Sequence, residues 1–307
     1  MSKEIIWFGV FIAIFMYGLT VMRIGLDQLS SDNLKKQLLL VTRTPVQGLL
    51  IGAILAALLQ SSSALMVITI GFVAAGLLSF KQSIGIMLGA NIGTTITAEL
   101  MTIQVGELAV PIVILGVLFI LIPRKICFSI GTTLLGLGCI FVAMRGFTSL
   151  ADSIYSYDFV KSILLYSDQN NVIAILVGTV LTAIIQSSSA VIGVAMGFLH
   201  HQHITIDASI AIMLGANIGT CVTALLASIG AKKEAKWTAY AHVWLNVFGV
   251  LLFLPFIDLL SQFVATLSPS LEKQLAHASV IFNIACSLIA LPLVNALASF
   301  IMKTYNK

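Results

Sequence analysis

Apolar side chains run in long blocks along this chain, at 5–22, 46–59, 64–80, 84–103, 108–122, 126–144, 172–185, 190–200, 208–230, 237–257 and 280–302, with polar residues in short stretches between them. Blocks near the roughly 20 residues that cross a bilayer as helix predict spanning segments, and blocks of about 10–15 predict half-length ones. The period-two alternation of a barrel strand is missing. The pattern therefore predicts an all-α, polytopic membrane protein. The first block follows Lys3 and Glu4, is too long for a signal-peptide core, and has no small-residue cleavage pattern behind it. It is expected to be a retained helix.

Composition strengthens this reading. Of 307 residues 59% are hydrophobic and only 9% charged, and the mean hydropathy is +1.07, whereas about a quarter of a soluble domain is charged. The net charge of +4 comes from lysines and arginines between the blocks, where it reports membrane orientation and not nucleic-acid binding. Cys127, Cys139, Cys221 and Cys286 lie in or beside apolar blocks without metal-ligand spacing, so they are expected to be packed thiols.

The polar interruptions repeat. "QSSSA" occurs at 60–64 and 186–190 and "GANIGT" at 89–94 and 215–220, so both motifs recur at an offset of 126 (186 − 60). Laying 60–98 over 186–224 gives 20 identities in 39 positions. This predicts a two-fold internal repeat, with repeat 1 over 1–125, repeat 2 over 126–258, and a C-terminal loop and unpaired helix over 259–307. Each repeat is read as a helix, an interrupted hairpin-like element, a second interrupted helix and a closing helix. Repeats of this kind point to a secondary transporter, with substrate and ions bound where the halves meet. If each QSSS element re-enters without a net crossing, the halves are inverted. Loop charges, including Arg23, Lys35, Lys36 and Arg43, do not separate that topology from a spanning one.

Chemistry follows from the interruptions. Non-helical backbone survives at membrane depth only inside protein or beside water, and three serines, whose hydroxyls compete for backbone groups, mark where a helix breaks. A helix starting there presents free N–H groups beside three hydroxyls, and the positive helix end favours an anion. Two such ends facing each other would enclose an oxyanion without any arginine. GANIGT supplies the complement. Glycines flanking Asn91 and Asn217 permit turns and close backbone approach, while Asn91, Asn217, Thr94, Thr95, Thr97, Thr220 and Thr223, with Gln60 and Gln186, offer uncharged oxygens suited to Na+.

With these motifs the chain resembles the type II sodium-dependent phosphate cotransporters and their bacterial relatives, closely over 45–102 and 171–250. The resemblance implies Na+-coupled symport of inorganic phosphate by alternating access, with inverted repeats whose QSSS elements re-enter from opposite sides. Phosphate would be held by Ser61, Ser62, Ser63, Ser187, Ser188 and Ser189. Na+ would be held by Gln60, Asn91, Thr94, Thr95, Gln186, Asn217, Thr220 and Thr223. Na+ is then the coupling ion, no other cofactor is implied, and the partners are phosphate, Na+ and the lipid bilayer, with a homodimer allowed and nucleic acid excluded. A multi-pass protein of the cell membrane is expected. Cys221 stands where repeat 1 has Thr95, which weakens the expectation of two equal sodium sites. His242 to Asn246 matches a family helix with Leu245 at its aromatic place, and Ser279 stands where a second copy, at Phe282 and Asn283, would have histidine. A regulatory domain after Lys307 is not expected.

Other polar residues receive plainer readings. Glu99 and Glu107 sit at or beyond a helix end, Glu99 with a role in cation binding weighed against simple exposure. His242 and Asn246 share a face and suit interhelical bonding. His200, His201 and His203 with Asp207 are read as a solvated loop in preference to a metal site, and Arg23 and Arg145 as snorkelling to the interface. Phosphate export or transport of a related oxyanion is the alternative function. A serine hydrolase is the remote one, because no nucleophile elbow flanks either triplet and the candidate bases His242 and His277 lie on separate helices.

Overall fold

The computed structural model describes residues 3–29, 44–103 and 106–305. Lys35, Lys36 and Arg43, used above for orientation, lie outside the described residues. Among the described residues the secondary structure is helical throughout, with no strand. The helices are α1 (Lys3–Leu29), α2 (Pro45–Leu59), α3 (Ser62–Ala74), α4 (Phe80–Met101), α5 (Ala109–Ile120), α6 (Lys125–Tyr155), α7 (Asp158–Gln169), α8 (Asn171–Ile185), α9 (Ser188–His200), α10 (Ile206–Gly219), α11 (Cys221–Ala227), α12 (Lys233–Phe253), α13 (Ile257–Leu267), α14 (Leu271–Ala290) and α15 (Val294–Thr304). Six segments are long and apolar enough to cross a membrane: α1, α4, α6, and the stretches Ile206–Ala227, Lys233–Leu267 and Leu271–Thr304. Large apolar side chains such as Trp7, Phe159, Ile184 and Ile229 point outward, as lipid requires. The chain is a multi-pass membrane protein.

Local sequence sets the helix ends. Thr44 and Gln47 form a capping box before α2, with Pro45 in the first turn, and Ser79 with Gln82 forms another before α4. Asn170, Thr205 and Ser270 cap α8, α10 and α14, each satisfying N–H groups a helix start leaves unpaired. Prolines at 255 and 292 turn the chain through short 3-10 segments, because proline cannot donate to the preceding turn. The block read as one helix over 280–302 is therefore α14, starting at Leu271, followed by α15. Residues 259–267, expected within a loop, belong to α13. Residues 158–169 carry no long apolar block, yet they form the amphipathic α7, burying Leu164 and Ser167.

Glycines hold the framework together. A Cβ at Gly85 would lie 2.5 Å from Pro45 O, at Gly89 2.0 Å from Leu49 O, and at Gly93 2.2 Å from Ala53 O. The contact numbers rise together along both helices, so α2 and α4 run parallel. A Cβ at Gly215 would lie 2.0 Å from Ile175 O and at Gly219 2.6 Å from Thr179 O, so α8 and α10 are parallel too. Only five residues, 75–79, join α3 to α4, and they can regain the level of α2's start only if α3 runs back against α2. The chain thus reverses at each QSSS motif. At about 1.5 Å per residue, α2 and α3 are each only some 20 Å long, against a hydrocarbon core about 30 Å thick.

One expectation is corrected here. GANIGT does not interrupt its helix in the first copy: α4 is continuous through residues 89–94, and in the second copy the helix is broken only at Thr220, with right-handed dihedrals. The motif's glycines serve backbone contact and not a turn, since small residues let membrane helices approach. Buried apolar side chains form two clusters. One joins α1, α6, α7, α8, α9, α10, α13 and α14 with the ends of α4 and α12, and the other joins α2, α3, α4, α11, α12 and α15.

Candidate functional site

Both QSSS motifs break their helices in the same way. α2 ends at Leu59, Gln60 takes a left-handed conformation (φ 48°), and Ser61 is the N-cap of α3, its Oγ accepting from Ala64 N–H at 3.1 Å. α8 ends at Ile185, Gln186 is left-handed (φ 58°), and Ser187 caps α9, its Oγ accepting from Ala190 N–H at 3.2 Å. A left-handed glutamine is uncommon, and both occur at the reversals. The cap uses an oxygen lone pair of Ser61 and Ser187, leaving each O–H free to donate outward. The amides of Ser62 and Ser63, and of Ser188 and Ser189, precede the first intrahelical partner.

The two breaks open on one cavity of about 360 Å³, lined by Gln60, all three serines of each triplet and Gln186, with Thr94 from α4 and Thr223 from α11. Met16, Leu19, Thr20 and Arg23 of α1 form another part of the wall. The structure therefore brings together Gln60, Ser61, Ser62, Ser63, Thr94, Gln186, Ser187, Ser188, Ser189 and Thr223. It does not bring Asn91, Thr95, Asn217 or Thr220 to that wall. Thr95 and Thr220 are buried and donate to Ile92 O (2.7 Å) and Asn217 O (2.7 Å). Asn217 Nδ2 donates to Met213 O at 2.9 Å. Asn91 Nδ2 reaches Asn246 Oδ1 at 3.3 Å, and Asn246 Nδ2 in turn donates to His242 O at 2.9 Å and to Cys221 Sγ at 3.4 Å.

Arg23 is a second correction. In place of snorkelling, its Nε donates to Leu59 O at 2.7 Å, capping the C-terminal end of α2, while the side chain lines the serine cavity. No carboxylate pairs with it among the described residues. The serine cavity, which the sequence alone suggested would hold no arginine, therefore has Arg23 on its wall. Periodicity along α1 carried no signal for this, because the contact is made across 36 residues of sequence.

Uncharged oxygens surround the breaks. Thr97 Oγ1 donates to Gln60 Oε1 at 2.6 Å, Thr94 Oγ1 is shared between Asn91 O (3.0 Å) and Ala90 O (3.2 Å), and Thr223 Oγ1 is buried with no partner. A hydroxyl without a partner beside a cavity has hydrogen-bonding capacity to offer a ligand. Glu99 is held elsewhere, 2.8 Å from His277 Nδ1, and Arg145 donates to Gly106 O at 3.0 Å. Neither His242 nor His277 hydrogen-bonds to a triplet serine among the described residues. His242 is fully buried with both ring nitrogens unpartnered.

The Na+/Pi-cotransporter family model matches residues 14–149 and 153–296. The chain belongs to that family. YqeW of Bacillus subtilis (strain 168), an uncharacterized protein, is 42% identical over 291 residues, 95% of both chains. A protein of Escherichia coli (strain K12), provisionally named inorganic phosphate export protein YjbB, is 25% identical over 290 residues. That alignment takes in 94% of this family member but 53% of YjbB, so the chain spans about half of that relative's length. Human sodium-dependent phosphate transport protein 2B is 37% identical over 87 residues, 27% of this chain and 13% of the human one. No solved structure matches.

Proposed function

We propose that this family member carries inorganic phosphate across the cell membrane together with Na+, by alternating access. The reading rests on one observation above all: two helix starts, each bearing three serines, face a single cavity that also receives Arg23. The free amides and O–H groups of both triplets are donors aimed at an anion, and the arginine adds a charge-assisted fork suited to phosphate oxygens. Hydroxyls can also accept from a phosphate O–H, which suits a substrate partly protonated near neutral pH. Gln60, Gln186, Thr94 and Thr223, on the same wall, are the Na+ ligands of this reading, and Asn91, Thr95, Asn217 and Thr220 are reserve ligands for a state in which the helices have moved. The two QSSS hairpins would enter from opposite sides, as inverted repeats require, so that rocking of one group of helices exposes the cavity to each side in turn.

Protein reconstituted in liposomes tests this. Labelled phosphate should accumulate against its gradient when Na+ is inward-directed and not when K+ replaces it. Flux indifferent to Na+ would remove the coupling. A second reading, phosphate export, is favoured by the name of YjbB. It predicts net efflux from cells under a physiological Na+ gradient. Competition by arsenate and sulfate in the same assay defines the oxyanion class.

A further inference from the structure

A separate cluster of ligating side chains forms where α9 ends. The chain turns there through Gln202, whose φ is 57°. His203 N–H bonds back to Phe198 O and Gln202 N–H to Leu199 O, both at 3.0 Å, the paired bonds that close a helix through a left-handed residue. At the offset of 126 the same closure is built on Gly76 (φ 75°), with Leu77 N–H on Phe72 O at 2.9 Å. Ala75 and Leu77 flank that turn, whereas His201 and His203 flank this one. The left-handed residue between them puts both imidazoles on one side, ring centroids 5.9 Å apart and planes within 12°.

Asp152, in the last turn of α6, completes the group. Its Oδ1 lies 2.7 Å from His203 Nε2 and 3.3 Å from His201 Nδ1, and the three ligand atoms all lie within 4.8 Å of one another. Tyr155, three residues further on, stacks against the His203 ring at 4.1 Å with planes 7° apart, so that ring is held in place. His200 is engaged elsewhere, with Glu272. The Asp207 weighed with these histidines on sequence is not a member of the cluster.

We propose that Asp152, His201 and His203 form a binding site for a divalent transition-metal ion of the zinc class. Two imidazole nitrogens and one carboxylate oxygen, with a fourth position open to water, are a donor set such an ion takes. Metal–ligand bonds of about 2.0–2.2 Å in a tetrahedron put ligand atoms roughly 3.3 Å apart. The Asp152–His201 separation already has that value, and the Asp152–His203 pair needs to open by about half an ångström. The carboxylate is 65% exposed and the His201 side chain 30%, which leaves a path from water. Imidazole selects such ions over Mg2+ and Ca2+. Once bound, the ion would join α6 to the end of α9, whose opposite end carries Ser188 and Ser189 in the serine cavity.

Equilibrium dialysis of the full chain, purified without a polyhistidine tag, tests the site against Zn2+ alone, with Co2+ absorbance as the spectroscopic readout. One Zn2+ per chain should bind at micromolar concentration or below, and Co2+ should give the intense visible bands of a tetrahedral complex. H203A and D152N should each weaken binding at least tenfold, H200A should leave it unchanged, and a large excess of Mg2+ should not compete. These readouts do not depend on phosphate transport. Binding only at millimolar Zn2+, or equal losses in H200A and H203A, would overturn the site and leave an imidazole–carboxylate hydrogen-bond cluster in its place.

Discussion

Thr97 donates its hydroxyl proton to Gln60 Oε1 at 2.6 Å, with both side chains buried. This bond fastens α4 to the left-handed residue at which the first hairpin reverses. Thr97→Val keeps the shape and removes the donor, leaving the amide oxygen of Gln60 unpaired. A loss of about 1–3 kcal/mol is expected, seen as a lower melting temperature in detergent and restored by Thr97→Ser. An unchanged melting temperature would mean that the break is held by the helix packing alone.

Ser61 and Ser187 have two duties each, capping a helix and offering an O–H to the cavity. Ser61→Ala and Ser187→Ala should each cost about 0.5–2 kcal/mol from the lost cap and also raise the phosphate concentration for half-maximal flux. Asp in either place would keep the cap and put a negative charge in the cavity. Flux should then fall while stability is retained. If Ser61→Asp transports as well as the parent, the anion does not sit at this helix start.

Arg23 bridges the end of α2 and the cavity. Arg23→Gln should raise the half-saturating phosphate concentration about tenfold or more, on the scale of one charge-assisted hydrogen bond of about 1.5–3 kcal/mol. Arg23→Lys should recover part of the loss, since an ammonium keeps the charge but cannot bond Leu59 O and the anion with one planar fork. Flux kinetics in liposomes measure both. Equal affinity in all three proteins would remove Arg23 from the phosphate site.

Gly89 and Gly215 should tolerate no side chain. A Cβ at either would lie 2.0 Å from a carbonyl oxygen of the partner helix, and the strain of forcing helices apart costs about 1–3 kcal/mol or more. Gly89→Ala and Gly215→Ala should lower the yield of monodisperse protein and its melting temperature. Gly71, also helical but with nothing within 4 Å of its Cβ position, should accept alanine with no loss. Equal behaviour at the three sites would contradict the tight pairing of α2 with α4 and α8 with α10.

Much of this molecule follows from local chemistry, and local chemistry is what a sequence displays. Long apolar blocks give helices in lipid because backbone groups must be satisfied within their own segment. Serine hydroxyls bond the backbone, so a break at each QSSS motif was legible, but the new helices begin at Ser62 and Ser188, inside the triplets, and not after the serines as the apolar pattern suggested. The motifs named the family. What stayed hidden depends on which surfaces meet. Whether GANIGT glycines turn the chain or pack it was decided by α2 and α8 lying against them. Thr94 and Thr223 line the cavity while Thr95 and Thr220 do not, because each pair differs in which helix face it occupies. Arg23 arrives from a helix 36 residues before the carbonyl it caps, and Asp152 meets two histidines some fifty residues away. No spacing along the chain encodes such meetings; they exist only once packing sets the helices side by side.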